Sequence, residues 1–343
     1  MSRVLTSPDA RQLIEHELEG HRRALTGYCY RMLGSGSEAE DAVQETMIRA
    51  WQAVDRLKER GALKSWLYRI ASNVCLDMLG GTQRRARPMD LGPASPADGA
   101  LGSALPEHAW VQPIADSRVL PLETDPAALA DSRETLRLAF VAALQHLPPK
   151  QRAVLILREV LRWQATEVAE LLDTTVASVN SALQRARATL ESLDLDSGGG
   201  SGPSAVPAEQ RELLGRYVEA FEAYDITSLV KLLHEDASFS MPPYPLWVTG
   251  PAAIHDFMLG TGAKCEGSRV IVTSANGGPA IAIYNPAGDG TYTPWAIVVL
   301  EFSGAQITGL HHFISPELFD DFGLPARLED EHVAQADELQ QPA

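Results

Sequence analysis

Long apolar runs are missing from this 343-residue chain: runs such as Ala296–Leu300 fall far short of the ~18 residues that cross a bilayer. Met1–Asp9 carries charges and Pro8 but no apolar signal-peptide core. Neither membrane insertion nor secretion is expected, and the expected compartment is the cytoplasm. Cysteine is scarce. Cys29, Cys75 and Cys265 form no Cys-x-x-Cys pair, which argues against a disulfide framework or a cysteine-rich zinc site and suits reducing surroundings. Each reads as a small buried apolar residue. Internal repeats are absent too. Basic residues are sparse in the last two-fifths, where residues 192–343 hold 6 Lys/Arg against 21 Asp/Glu. A block that acidic is repelled by phosphate backbones.

The remainder is different. Residues 1–88 hold 14 Lys/Arg against 11 Asp/Glu and residues 131–191 hold 8 against 7, while residues 89–130 hold 1 against 6. The net charge of −16 therefore hides two mildly basic blocks able to approach nucleic acid. With 45% hydrophobic and 22% charged residues the chain is an ordinary folded protein, and its length gives two to three domains. Residues 10–88 read as helical. Residues 89–130 are an acidic, Pro- and Ala-rich linker without sustained periodicity, and residues 131–193 are helical again. Residues 194–207 are a Gly/Ser hinge, 208–325 an α+β domain, and 326–343 an acidic tail.

In the first helical block, Glu38–Val54 places Val43, Met47, Ala50, Trp51 and Val54 on an apolar stripe and Asp41, Glu45, Arg49 and Gln52 opposite. By itself such a polar face is a solvated surface, with Glu45 and Arg49 an i, i+4 pair. A loop containing Gly61 leads to a helix from Lys64 to about Leu79. Trp66, Leu67, Ile70, Ala71 and Val74 supply its inner side; Arg69, Asn73 and Asp77 run along the other, and Arg84-Arg85-x-Arg87 follows. Rings, amides and cations beside a loop suit single-stranded nucleic acid, although Trp66 reads equally well as core. The ordered pair of stretches, Asp41-Ala-Val-Gln-Glu-Thr-Met-Ile-Arg-Ala-Trp51 and Leu63-Lys-Ser-Trp-Leu-Tyr-Arg-Ile-Ala-Ser-Asn73, resembles region two of bacterial extracytoplasmic-function sigma factors. The resemblance implies that Asp41, Gln44, Glu45 and Arg49 dock on the β′ clamp helices of core RNA polymerase. It also implies that Lys58, Arg60, Trp66, Arg69, Asn73, Arg84 and Arg85 bind the minus-ten element. Gly80-Gly81-Thr82-Gln83 stands where a denser basic tail is usual in that family, so duplex contacts there are fewer or shifted.

The second helical block has an amphipathic helix over 132–146, stopped by Pro148-Pro149. Gln151–Leu161 follows, then a short helix Thr166–Leu172 with Thr166 as its cap, a turn at Asp173-Thr174, and a final helix capped by Thr175. Two helices joined by a tight turn form a helix-turn-helix. The last buries Val176, Val179, Leu183 and Leu190 and offers Asn180, Ser181, Gln184, Arg185 and Arg187, whose amides and guanidinium groups match base edges and phosphates in a major groove. Leu147-Pro-Pro-Lys-Gln-Arg-Ala-Val-Leu155 and Thr166–Arg187 resemble region four of the same family, which implies minus-thirty-five recognition. In that family the intervening linker, here containing Trp110-Val-Gln-Pro-Ile-Ala-Asp116, threads through polymerase; a disordered tether with Trp110 buried elsewhere is an equal reading.

In the third block, Leu213, Tyr217, Phe221 and Tyr224 share a helical face and a second helix is expected over 227–234. Strands are expected at Arg269–Thr273, Ala280–Tyr284, Trp295–Phe302 and Gln306–Ile314, forming an antiparallel meander. With Trp247–Ile254 and the closing strand, the block resembles the cone-shaped SnoaL-like domains, which a subset of these sigma factors carries after an Asp-Gly-Gly-Gly motif. Asp196-Ser-Gly-Gly-Gly200 matches that motif loosely. Tyr244, Trp247, His255 and Trp295, with Met241, His311 and His312, are candidates to line a ligand pocket. His311 and His312, neighbours on a strand, face opposite ways and cannot chelate one metal together.

The expected architecture is multidomain: two all-α sigma domains, a region two helical bundle and a region four helix-turn-helix, followed by an α+β cone-shaped SnoaL-like domain. The expected function is promoter recognition and opening as a sigma subunit. The C-terminal domain is then regulatory, with no catalytic set, no metal and no cofactor. Core polymerase and promoter DNA are the expected partners, with an anti-sigma factor or small ligand as an additional input. The alternatives are a ligand-sensing helix-turn-helix repressor and a SnoaL-like isomerase or cyclase. A polymerase-docking face at Asp41–Arg49 discriminates them, because a repressor has no use for one.

Overall fold

A computed structural model describes residues 8–54, 60–80, 84–121, 125–193 and 208–329. They divide into two compact units. One contains residues up to Arg85, Ser117–Asp125 and Asp131–Leu195; the other contains Ala86–Asp116, Pro126–Ala130 and the chain beyond Asp196.

The first unit begins with α1 (Pro8–Leu33), α2 (Gly36–Gln52) and α3 (Leu63–Met78). Gly34 adopts φ +74°, a left-handed turn that ends α1, and the Ser35 hydroxyl accepts the Glu38 amide at 3.4 Å to cap α2. Small residues on the inner face of α2 (Ala39, Ala42, Val43, Thr46 and Ala50) let it lie close to α1, which contributes Leu25, Tyr28, Cys29 and Met32. Tyr28 donates its hydroxyl to Ser72 at 2.7 Å, and Ser72 donates in turn to the Tyr68 carbonyl. Cys29 and Cys75, far apart in sequence, meet in this core. Cys29 as hydrogen-bond neighbour, then burial, push the Cys75 thiol well above its ordinary range.

Short helices α4 (Pro88–Leu91) and α5 (Asp116–Val119) interrupt the stretch expected to be a linker. The second helical block then forms α6 (Pro126–Glu134), α7 (Leu138–Leu144), α8 (Pro149–Leu155), α9 (Ala165–Leu171) and α10 (Val176–Ser192). The single helix expected over 132–146 is broken between α6 and α7, and Arg31 supplies the reason. Its guanidinium, buried in α1, donates to the Ser132 carbonyl at 3.3 Å and to the Thr135 carbonyl and hydroxyl at 3.1 and 2.7 Å, capturing oxygens that a continuous helix would use. Arg152 on α8 does the reverse. It donates to the Met32 carbonyl at the end of α1, to Gln145 Oε1 at 2.6 Å, and to the Gln145 and Leu147 carbonyls at 3.2 Å. Burial lowers each guanidinium to about 10, still protonated at neutral pH. Tyr68 meets Trp163 at 5.2 Å between ring centroids, completing the seam between the two helical blocks.

The second unit contains α11 (Ala208–Glu222), α12 (Ile226–Leu229), β1 (Leu233–Ser240), β2 (Trp247–Thr249), α13 (Pro251–Leu259), β3 (Arg269–Ala275), β4 (Gly278–Pro286), β5 (Thr291–Ser303), β6 (Gln306–Phe313), α14 (Leu318–Asp321) and β7 (Leu328–Glu329). The sheet order is β2-β1-β6-β5-β4-β3, with β7 on β5. Two expectations change here. The second helix is shorter than 227–234, because the chain turns into β1 at Leu233, and β1 pairs with β6 in parallel, so the sheet is not a pure meander. Helices and one sheet face enclose Tyr217, Phe221, Phe239, Phe257, Ile283, Leu300 and Leu310.

The acidic linker is no free tether. Trp110, Val111, Ile114 and Ala115 are buried in this second unit, and Ala115 forms an antiparallel bridge with Ala275 at the end of β3.

Replacing Arg152 by Leu would strip four buried oxygens of their donor. Each unsatisfied acceptor costs about 1–3 kcal/mol, so the denaturation midpoint of the helical unit should fall clearly. A midpoint equal to the parent's would contradict the seam described above.

Candidate nucleic-acid interface

On α2, Asp41, Gln44 and Arg49 are exposed and Glu45 is half-exposed. Glu45 Oε1 accepts from Arg49 Nε at 2.6 Å, and Asp77 on α3 lies 3.6 Å from the same guanidinium. Trp51, assigned above to the apolar stripe, is exposed at 39%, as is Ile48 at 44%. Asp41, Gln44, Ile48 and Trp51 recur at spacings of three, four and three, so one solvent-facing stripe carries two carbonyl-bearing side chains at one end and two apolar ones at the other. That spacing was present in the sequence, but apolar residues on an amphipathic helix read as core.

On α3, Arg69 and Asn73 are exposed one turn apart, and Trp66 is half-buried. Arg69 donates to the Glu170 carbonyl on α9 at 2.7 Å, and the Lys64 ammonium sits 5.7 Å from the Trp163 ring centroid. The face that carries the minus-ten candidates is therefore in contact with the second helical block. Lys58 and the Arg60 side chain lie outside the described residues. The two following arginines part company. Arg84 is exposed and donates to His146 Nδ1 at 3.0 Å. Arg85 is buried, with Glu38 Oε1 at 2.5 Å, so its cation is neutralised inside the unit and is not at a DNA-facing surface.

The recognition helix α10 starts as expected: Thr175 Oγ1 accepts the Ser178 amide at 3.1 Å. The cap of α9 is Gln164 rather than Thr166. Glu167 Oε2 accepts the Gln164 amide at 2.6 Å, a capping box beginning two residues earlier. Asn180, Ser181, Gln184, Arg185 and Arg187 are all exposed, while Val179, Ala182, Leu183 and Ala186 face inward. Arg187 is held by Glu159 Oε1 at 2.5 Å. Val176, expected to be core, is exposed at 38% at the N-terminus of α10.

The candidate pocket residues of the second unit have different surroundings. Tyr244 and Trp295 pack against the core. The Trp247 indole donates to the Gly92 carbonyl at 2.9 Å, and His255 Nδ1 lies 3.1 Å from its neighbour Asp256 on the surface of α13. His311 bonds Ser240 Oγ at 2.9 Å through Nδ1, with Glu301 at 3.5 Å from Nε2. His312 instead lies against Phe239, ring centroids 4.4 Å apart, and burial pushes it down to about 3.

A capped helix that presents amides and guanidinium groups, beside a bundle with an exposed polar helix face, has the layout of a DNA-reading protein. Comparison with known proteins makes this specific. Residues 18–85 match Sigma-70 region 2, residues 137–190 match Sigma-70, region 4, and residues 214–310 match the SnoaL-like domain. The chain is 43% identical over 316 residues to the ECF RNA polymerase sigma factor SigG of Mycobacterium tuberculosis, covering 90% of this chain and 83% of that protein. It is 30% identical to SigJ of the same organism over 225 residues, 65% of this chain and 63% of SigJ. The crystal structure of Mycobacterium tuberculosis SigJ shares its fold, with a TM-score of 0.57 at 23% identity over 91% of this chain and 99% of that one.

The protein belongs to the extracytoplasmic-function sigma factors of bacterial RNA polymerase. It binds core polymerase and promoter DNA and directs transcription initiation, and it is not an enzyme; the repressor and isomerase readings give way. Among the described residues no helix is long and apolar enough to cross a membrane.

Because His312 titrates near 3 when folded and near 6.5 when unfolded, the unfolded state binds the extra proton between those values. Its contribution to stability is complete above about pH 6.5 and is lost as pH falls toward 3. Replacing His312 by Leu should flatten the fall in melting temperature of the C-terminal unit between pH 7 and pH 5. An unchanged slope would remove His312 as its source.

Proposed function

We propose that the exposed stripe of α2, through Asp41, Gln44, Glu45 and Arg49, docks on the β′ clamp helices. Trp66, Arg69 and Asn73, with Lys58, Arg60 and Arg84, then open and hold the minus-ten element, while α10 reads the minus-thirty-five element through Asn180, Ser181, Gln184, Arg185 and Arg187. Arg85 is withdrawn from the minus-ten set because its guanidinium is buried against Glu38, whereas Arg187, also paired, is exposed. The observation that carries this reading is the coexistence of two exposed polar faces, one on α2 and one on α10, on helices whose opposite sides are fully buried. The protein works in the cytoplasm, where polymerase is, and the C-terminal domain regulates the sigma modules.

The Asp41→Ala, Glu45→Ala double variant should lose co-purification with core polymerase while keeping its helical signal, since both carboxylates point to solvent. Retention of wild-type binding would refute the docking assignment. Gln184→Ala and Arg185→Ala should each weaken upstream-element binding by about 1–3 kcal/mol in competition gel shifts with matched and mutated promoters. Asn73→Ala should leave polymerase binding intact and reduce permanganate reactivity of the minus-ten thymines. Normal melting in that variant would place base capture elsewhere.

A further inference from the structure

The polar residues of α10 do not share one face. Ala177, Ser181, Gln184 and Ala188, all exposed, recur at spacings of four, three and four along a crown opposite the buried Val179, Leu183 and Ala186. Two alanines and a serine let the helix backbone come close to a groove floor, and Gln184 is the one long side chain in that row. Arg187 lies elsewhere. At about 100° per residue it sits about 90° round from the centre of the buried side. A side chain at that angle meets the wall of a major groove, where the phosphates run, and not the base edges on its floor.

Arg187 is held in that place. Its Nη2 donates to Glu159 Oε1 at 2.5 Å, yet its side chain remains 56% exposed and that of Glu159 35%. A guanidinium carries five N–H donors in a fixed fork, so one such bond fixes its direction and leaves donors to spare. An ion pair this exposed adds little to folding stability.

The backbone under Glu159 is shaped for the contact. In an unbroken α-helix Arg152, Ile156 and Glu159 would fall at i, i+4 and i+7, and the first two are buried, so the carboxylate would turn inward. Instead α8 runs on from Leu155 as a π-helical turn over Ile156–Val160. The Leu161 amide donates to the Ile156 carbonyl at 2.9 Å, and the Trp163 amide to the Leu157 carbonyl at 3.0 Å. Arg158 donates to the Trp163 carbonyl, Arg162 takes φ +60°, and the Trp163 ring is buried. The wider turn carries Glu159 to the edge of the unit on fixed backbone, beside Arg187. Single π-turns of this kind gather at functional sites.

We propose that Glu159 is a positioning residue for promoter recognition, orienting the Arg187 guanidinium toward one backbone phosphate on the wall of the groove that α10 enters. That contact carries no sequence information. It fixes how α10 is seated while the crown reads the bases, and the cost of ordering a long side chain is met before DNA arrives. The proposal rests on the reading of α10 as the upstream reader and adds to it a residue outside that helix.

The test uses holoenzyme reconstituted from core polymerase and the full-length chain. The probes are a promoter duplex selected by the parent holoenzyme from a random-sequence library, and the same duplex with single base changes across its upstream element. A parent indifferent to all of those changes would overturn the reading of α10 itself, before any variant is made. Glu159→Ala should weaken binding to every probe by one common factor, on the order of twofold to tenfold, the cost of ordering one long side chain. Preferences among bases should stay as in the parent, and so should the melting temperature. Glu159→Gln, whose amide oxygen still accepts from Arg187, should recover most of the loss. In an Arg187→Ala background Glu159→Ala should cost nothing further. Parental affinity in Glu159→Ala overturns the proposal, as does tighter binding, which would show a carboxylate that only repels phosphate. A changed base preference, a loss that appears only with a lowered melting temperature, or an undiminished loss in the Arg187→Ala background overturns it as well.

Discussion

Two buried arginines that bond carbonyl oxygens set the arrangement of the helical unit. A guanidinium can satisfy several acceptors with fixed geometry, and Arg31 and Arg152 use this in opposite directions, one reaching from α1 to the α6–α7 break and the other from α8 to the end of α1. Carbonyls carry partial charge only, so each cation keeps a desolvation cost that a carboxylate partner would offset more fully. Such a seam specifies one geometry without being strong. That balance suits modules which must hold together in one state and part in another.

The same economy appears in the C-terminal domain. The indole of Trp247, the carbonyl of Pro243 and the Asn276-Gly277 turn all bond the stretch between the two helical blocks. These bonds give the stretch Ala86–Asp116 a fixed place on the C-terminal sheet.

Much of this was legible in the sequence, because α2, α3 and α10 alternate apolar and polar residues at helical spacing and the caps of α2 and α10 are local. The errors share a cause, which is distance along the chain. Nothing near residues 135–137 announces that Arg31 will end a helix there, and Arg85 reads as a DNA contact until Glu38 is found beside it. The stretch between the helical blocks has no period because its partners, Trp247, Pro243 and Asn276, lie well over a hundred residues away. Leu233–Ser240 is short and carries His, Glu and Asp, so it does not read as the strand that pairs in parallel with β6. Trp51 and Val176 were misread for another reason: an apolar side chain left exposed on an amphipathic helix is indistinguishable by pattern from one buried in the core.

The pairing of Arg187 with Glu159 and of Arg85 with Glu38 has a consequence for how the protein holds DNA. A cation already neutralised by a carboxylate displaces few counterions when it meets a phosphate. Each phosphate neutralised adds only about 0.9 to the logarithmic dependence of affinity on salt. These two cations therefore add less than their number to the salt dependence of any duplex contact.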